Sequence, residues 1–116
     1  MSMIAALLTM IVALEHVGFL ILEMFLWTQP FGLKSFNLTP EFAAASATLA
    51  ANQGLYNGFL AAGLVWSLIA GKRDVRIFFL LCVIVAGAYG AATVSRRILY
   101  VQAAPAASAL ILLWLA

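Results

Sequence analysis

The chain has 116 residues, of which 66% are apolar and 9% charged, and its formal net charge is +2. A soluble domain carries about 25% charged residues because its surface meets water, and a mean hydropathy of +1.13 leaves too little polar surface to cover even a small globule. Lipid is the solvent that suits such a chain. The length holds one domain, residues 1–116, and the weak charge without a basic stripe gives no footprint for nucleic acid.

A bilayer core about 30 Å thick takes about 20 mostly apolar residues as a helix. The first such run covers residues 3–27 and ends in Phe25-Leu26-Trp27, with Trp27 expected at the headgroups. No Lys or Arg precedes Lys34 and two carboxylates lie inside the run, which favours a permanent span over a cleaved signal. Thr28-Gln29-Pro30-Phe31-Gly32 breaks it, and a loop is expected through Lys34 and Asn37. Thr39-Pro40-Glu41 has the composition of a helix start: a capping hydroxyl, a proline for the first turn, and an acid for the positive dipole end.

The second helix runs from Pro40 to about Ala70, with residues 42–70 as its span. It is longer than a crossing requires, so its first turns project into the interface or the helix tilts. Gly71-Lys72-Arg73-Asp74 is a tight polar turn, the third span covers residues 75–94, and Ser95-Arg96-Arg97 marks the next turn. The fourth span covers residues 98–116 with Pro105 in its first half, tolerated where neighbouring groups satisfy the freed carbonyl. Short connections make neighbours antiparallel, so the expected fold is an all-α integral membrane four-helix bundle.

Small residues indicate how it packs. Ser46, Ala50, Gly54, Gly58 and Ala62 recur every four residues, and Gly87, Ala91 and Ser95 form a shorter stripe. In lipid such stripes let backbones approach closely, and they fit an intrachain contact or a homodimer contact equally. Lys72, Arg73 and Arg76 share a side with the termini while Lys34, Arg96 and Arg97 lie opposite, a count of three against three. The compact basic turn favours both termini on the cytoplasmic side of the cell membrane, and the balance also fits insertion both ways up.

Glu15, His16 and Glu23 are the costly residues of the first span, since a charge in hydrocarbon needs a partner or a wet cavity. At about 100° per residue, His16 and Glu23 fall about 20° apart, and Glu15 about 80° from Glu23. Candidate partners are Asn52, Gln53, Tyr56 and Asn57 on the second helix, Tyr89, Thr93 and Arg96 on the third, and Gln102 on the fourth. By depth these gather towards the first and third loops, whereas the opposite half holds almost nothing but Leu, Ile, Val, Ala and Phe. The expectation is a ligand-binding polar pocket in one leaflet, floored by Glu15, His16 and Asn57. The bland readings are that Glu23 snorkels to the interface beside Trp27, that the amides are interhelical glue, and that Arg96 and Arg97 sit at the headgroups.

No cofactor or metal is expected. One histidine cannot ligate a haem from both sides, Cys82 alone makes neither a disulfide nor a thiolate metal site, and HExxH, phosphate-loop and GxSxG patterns are absent.

Glu15-His16, Glu23-Met24-Phe25-Leu26-Trp27, Leu38-Thr39-Pro40-Glu41-Phe42, the stretch Ala51-Asn52-Gln53-Gly54-Leu55-Tyr56-Asn57-Gly58-Phe59, Tyr89-Gly90 and Val101-Gln102 together resemble the domain-of-unknown-function 1304 family. The resemblance covers nearly the whole chain, and Asn-Gln-Gly-Leu-Tyr-Asn-Gly is its most specific part. It implies a small four-span membrane protein and brings no activity with it. Gly18 departs from the family pattern, where an aromatic residue is expected, and would enlarge the space beside His16.

Three functions fit these residues. Binding or transport of a small solute or cation is favoured: a carboxylate in the first of four short helices resembles the layout, though not the motifs, of small multidrug-resistance exporters. The second is acid–base chemistry on a lipid-like substrate by Glu and His, with Asn, Gln and Tyr positioning an oxygen. The third is a structural or accessory membrane subunit.

Overall fold

The computed structural model describes residues 2–94 and 96–115, with the backbone alone at Leu99. Ser95, which closes the shorter small-residue stripe and opens the third expected turn, and Ala116, the last residue of the fourth expected span, lie outside the described residues. Among the described residues all regular structure is helical: α1 (Met3–Met24), α2 (Pro30–Phe36), α3 (Pro40–Ile69), α4 (Arg73–Thr93), a π-helical turn (Leu99–Ala103) and α5 (Ala104–Leu115). Of these, α1 and α4 are long and apolar enough to cross a membrane, and Tyr100–Leu115 is apolar but shorter. Asn52, Gln53, Tyr56 and Asn57 dilute the apolar character of the longer α3.

The first connection differs from the expected open loop. α1 stops at Met24, and Pro30–Phe36 winds into a further short helix. Its signals are local. Gln29 is extended at the N-cap and Pro30 occupies the first turn, where a missing N–H costs nothing. Asn37 ends the helix in the left-handed region (φ 53°, ψ 51°), and the Leu38 N–H closes back on the Leu33 carbonyl at 2.9 Å. The expected cap on the next helix is present, with the Thr39 hydroxyl accepting the Phe42 N–H at 3.1 Å.

The chain divides into two compact units, one made of residues up to Glu15 together with Leu60 onward, the other of His16–Phe59. In the first, Ala5, Val12 and Ala13 of α1, Leu64 of α3, Leu80 and Val83 of α4, and Ala106, Ala109 and Leu113 of α5 form one buried apolar cluster. Close approach is local to glycines. A Cβ on Gly63 would run into the Phe79 ring, and one on Gly87 would stand 2.9 Å from the Ala103 Cβ and 3.2 Å from its backbone nitrogen. Pro105 lies in the first turn of α5 directly after the π-helical turn, where the chain absorbs the missing N–H by widening.

In the second unit the end of α1 and the start of α3 run antiparallel at short range. A Cβ on Gly54 would stand 2.7 Å from Met24 Cγ and 3.1 Å from Glu23 Cβ, and one on Gly58 would stand 2.7 Å from Leu20 Cδ1. The four-residue stripe holds only in part. Ala50 and Gly54 are buried, but Ala62 is exposed and Ala61 is buried instead. A period of four gains about 40° per turn on a 3.6-residue helix, so the stripe rotates off the contact before reaching Ala62.

Candidate functional site

The helix contact in the second unit brings two of the expected polar residues together. Glu23 is only 6% exposed, and its Oε1 accepts a hydrogen bond from Asn57 Nδ2 at 2.6 Å. The Glu23 carboxylate thus turns inward to α3. The pairing follows from register. Gly54 and Gly58 allow α3 to close on Leu20, Glu23 and Met24, which sets Asn57 opposite the carboxylate.

Asn52 lies on another side of α3. It is exposed, its Nδ2 donates to the Thr48 carbonyl at 3.0 Å, and it lines an open groove of about 360 Å3 with Met24, Ala47, Thr48, Ala51 and Leu55. Met24 thus borders both the groove and the Gly54 contact. Gln53 is exposed, and Tyr56 is exposed with its ring 6.0 Å from that of Phe59. His16 is fully buried and meets the Phe19 ring edge-on at 5.2 Å. A Cβ at Gly18 would meet nothing within 4 Å, but Gly18 lies about 200° round α1 from the fully buried His16, so this open space is not beside the imidazole. The Trp27 indole Nε1 donates to Ser46 Oγ at 3.0 Å, and that hydroxyl donates to the Phe42 carbonyl at 2.7 Å.

In the first unit, Glu15 is half-buried and its buried Oε1 has no hydrogen-bond partner. Tyr89, Thr93 and Arg96 are exposed, and the Thr93 hydroxyl donates to the Tyr89 carbonyl at 2.7 Å. Gln102, on the π-helical turn, donates through Nε2 to the Val83 carbonyl at 3.3 Å and so ties that turn to α4. Among the described residues no three His, Cys, Asp or Glu side chains gather as a metal-ligand set.

The supposedly apolar half needs correction. Thr9, Ser67 and Arg76 are fully buried in this unit. Both hydroxyls are spent on their own helices, Thr9 on the Ala5 carbonyl at 2.7 Å and Ser67 on the Leu64 carbonyl at 2.6 Å. Arg76 reads from the sequence as a loop charge because Lys72, Arg73 and Asp74 precede it. The available signal was its position inside the third expected span.

Known proteins place the chain in a family but assign it no chemistry. It is 30% identical over 115 residues to "Uncharacterized protein YpaA" of Lactococcus lactis subsp. lactis (strain IL1403), an alignment that covers 96% of this chain and 97% of that protein. No solved structure matches it. Residues 10–114 match the family described as "Protein of unknown function (DUF1304)"; with that match and a full-length relative in agreement, the chain belongs to the DUF1304 family.

Proposed function

We propose that the protein crosses the membrane four times, as α1, α3, α4 and the run from the π-helical turn through α5, and that Glu23 and Asn57 anchor a site that binds and transports a small cation. The surface supports the membrane placement. Ile4 (61% exposed), Leu14 (60%), Phe78 (61%) and Val85 (66%) point outward along α1 and α4, while Glu23, His16 and Arg76 are buried. Apolar surface of this extent is a liability in water and a natural boundary in lipid. At about 1.5 Å per residue, α3 is long enough to cross despite its polar middle.

The observation that carries the site is the buried Glu23 carboxylate, held by the Asn57 carboxamide and next in sequence to Met24, which lines a groove with Asn52. Asn57 is a donor through its amide nitrogen and an acceptor through its oxygen, so it can orient the carboxylate and share a cation with it. A carboxyl group in such a place can exchange a proton for a cation, which is the minimum machinery of an exchanger.

Proteoliposomes with an imposed proton gradient test this with tetraphenylphosphonium as a hydrophobic monovalent probe. The wild type is expected to take up the probe at least about tenfold faster than protein-free vesicles, and Glu23→Gln to fall to the vesicle background. Uptake by Glu23→Gln equal to wild type would remove the carboxylate from the proposal. Wild-type uptake no faster than bare lipid, with no quenching of tryptophan fluorescence by the probe, would leave the pair as interhelical glue.

A further inference from the structure

Arg76 stands one turn inside α4, fully buried, and none of its three guanidinium nitrogens has a hydrogen-bond partner. A guanidinium keeps its charge at any physiological pH and offers five N–H donors. Among the described residues no carboxylate accepts from it; Asp74, two positions earlier, accepts the Val75 N–H instead. A buried charge without a partner calls for an anion, and the described residues provide none.

The surroundings indicate which anion. Arg73 precedes Arg76 by three residues and so neighbours it on the same face of α4. Its Nη2 donates to the Leu113 carbonyl at 3.2 Å, and its guanidinium carbon lies 5.7 Å from the centre of the Trp114 ring. Trp114, with Leu110, Ile111 and Leu115, lines an apolar groove of about 260 Å3 along α5. Arg73 therefore stands beside an apolar groove that runs along α5, with Arg76 buried one helical turn further along α4. That is the charge pattern of an anionic amphiphile, with an oxyanion at one end and a hydrocarbon chain leading away from it.

We propose that the first turn of α4 and the outer face of α5 form a binding site for an anionic phospholipid, its phosphate accepting from Arg76 and Arg73 and one acyl chain lying against Ile111 and Trp114. The inference rests on the membrane placement proposed above and is independent of the Glu23 site. Arginine suits the role because its planar fork meets two phosphate oxygens at once. Its long stem lets the guanidinium of Arg76 swing towards the headgroup layer while the methylenes stay in the apolar interior. A free inorganic oxyanion would satisfy the same donors but would leave the groove without a purpose, so the lipid is the better fit.

The test is native mass spectrometry of the full chain in a mild neutral detergent, titrated separately with phosphatidylglycerol, phosphatidylcholine and inorganic phosphate. Wild type is expected to retain phosphatidylglycerol about tenfold more strongly than phosphatidylcholine. Arg76→Gln is expected to lose that preference while keeping its helical content, and Trp114→Ala to weaken phosphatidylglycerol retention. Thermal unfolding of the wild type alone gives a second reading that needs no variant: phosphatidylglycerol should raise the midpoint more than phosphatidylcholine does. Equal retention and equal protection by the two lipids would overturn the site, as would an Arg76→Gln variant with the preference intact. Inorganic phosphate bound through Arg76, with no lipid preference, would overturn the lipid assignment. A protein that stays in solution without detergent would overturn the membrane placement itself, an outcome distinct from a detergent-dependent protein that ignores headgroup charge.

Discussion

Glu23 and Asn57 satisfy each other across two helices, yet losing one is not equivalent to losing the other. Asn57→Leu leaves a buried carboxylate without its donor, a loss of about 1–3 kcal/mol. Glu23→Gln keeps an acceptor oxygen for the Asn57 amide and should cost closer to the ~0.6 kcal/mol of an average interhelical hydrogen bond in lipid. Unfolding in mixed micelles is expected to rank Asn57→Leu as the less stable variant, with the Glu23→Leu/Asn57→Leu double variant recovering part of the loss. Equal losses in the two single variants, with no recovery in the double variant, would show that the 2.6 Å contact contributes nothing of its own. Both residues were legible in the sequence as polar groups in an apolar context, but their pairing was not. Helical periodicity assigns each side chain a face of its own helix, whereas the partner depends on how far one helix slides along the other. Arg76 failed in the opposite way: its loop-like neighbours hid a side chain that the fold buries.

Helices α3 and α4 and the apolar run ending in α5 lie within a few residues of where apolar runs and breaks predict them, because those signals are local and repeat along each helix. The misses have causes of another kind. α2 is only seven residues long, too short to show a period, although Pro30 and Asn37 mark its ends. The π-helical turn depends on Pro105 and on the fit of Ala103 to Gly87, a tertiary contact that no window of sequence contains. The glycines separate these cases by experiment. Gly18→Ala meets open space within a helix, so it should be neutral or stabilising by up to about 1 kcal/mol. Gly32→Ala would drive a Cβ into the Leu26 carbonyl, and Gly87→Val would push into the Ala103 backbone; overpacking of this kind costs about 1–3 kcal/mol. Thermal midpoints in one detergent should therefore place Gly18→Ala at or above wild type and the other two clearly below it. A Gly32→Ala variant as stable as wild type would mean that Gly32 of α2 does not pack against Leu26 and Trp27, just after α1.

How many times the chain crosses the membrane can be decided without knowing its ligand. α1 and α4 have the length and apolarity to cross, while α3 is diluted by its amides and the last apolar run is short. Two arrangements follow. With four crossings, α3 separates residue 29 from residue 70, and the two positions face opposite sides. With only α1 and α4 in the membrane, everything from residue 29 to residue 70 stays on one side. Gln29 and Ala70 are both exposed and uncharged, so Gln29→Cys and Ala70→Cys leave the balance of basic residues untouched. Cys82 is the chain's one native thiol and is removed first as Cys82→Ala. Labelling intact cells with an impermeant maleimide is then expected to mark Gln29→Cys and to spare Ala70→Cys until the membrane is opened, because the basic turn following Ala70 should remain inside. A chain that inserts both ways up would label partly at each position, with fractions that sum to one, since every molecule shows one site and hides the other. Equal labelling of both positions, complete or absent together, would leave α3 outside the bilayer. The polar face of α3 would then meet water, and the Glu23–Asn57 pair would have to be reinterpreted as the edge of a solvated surface.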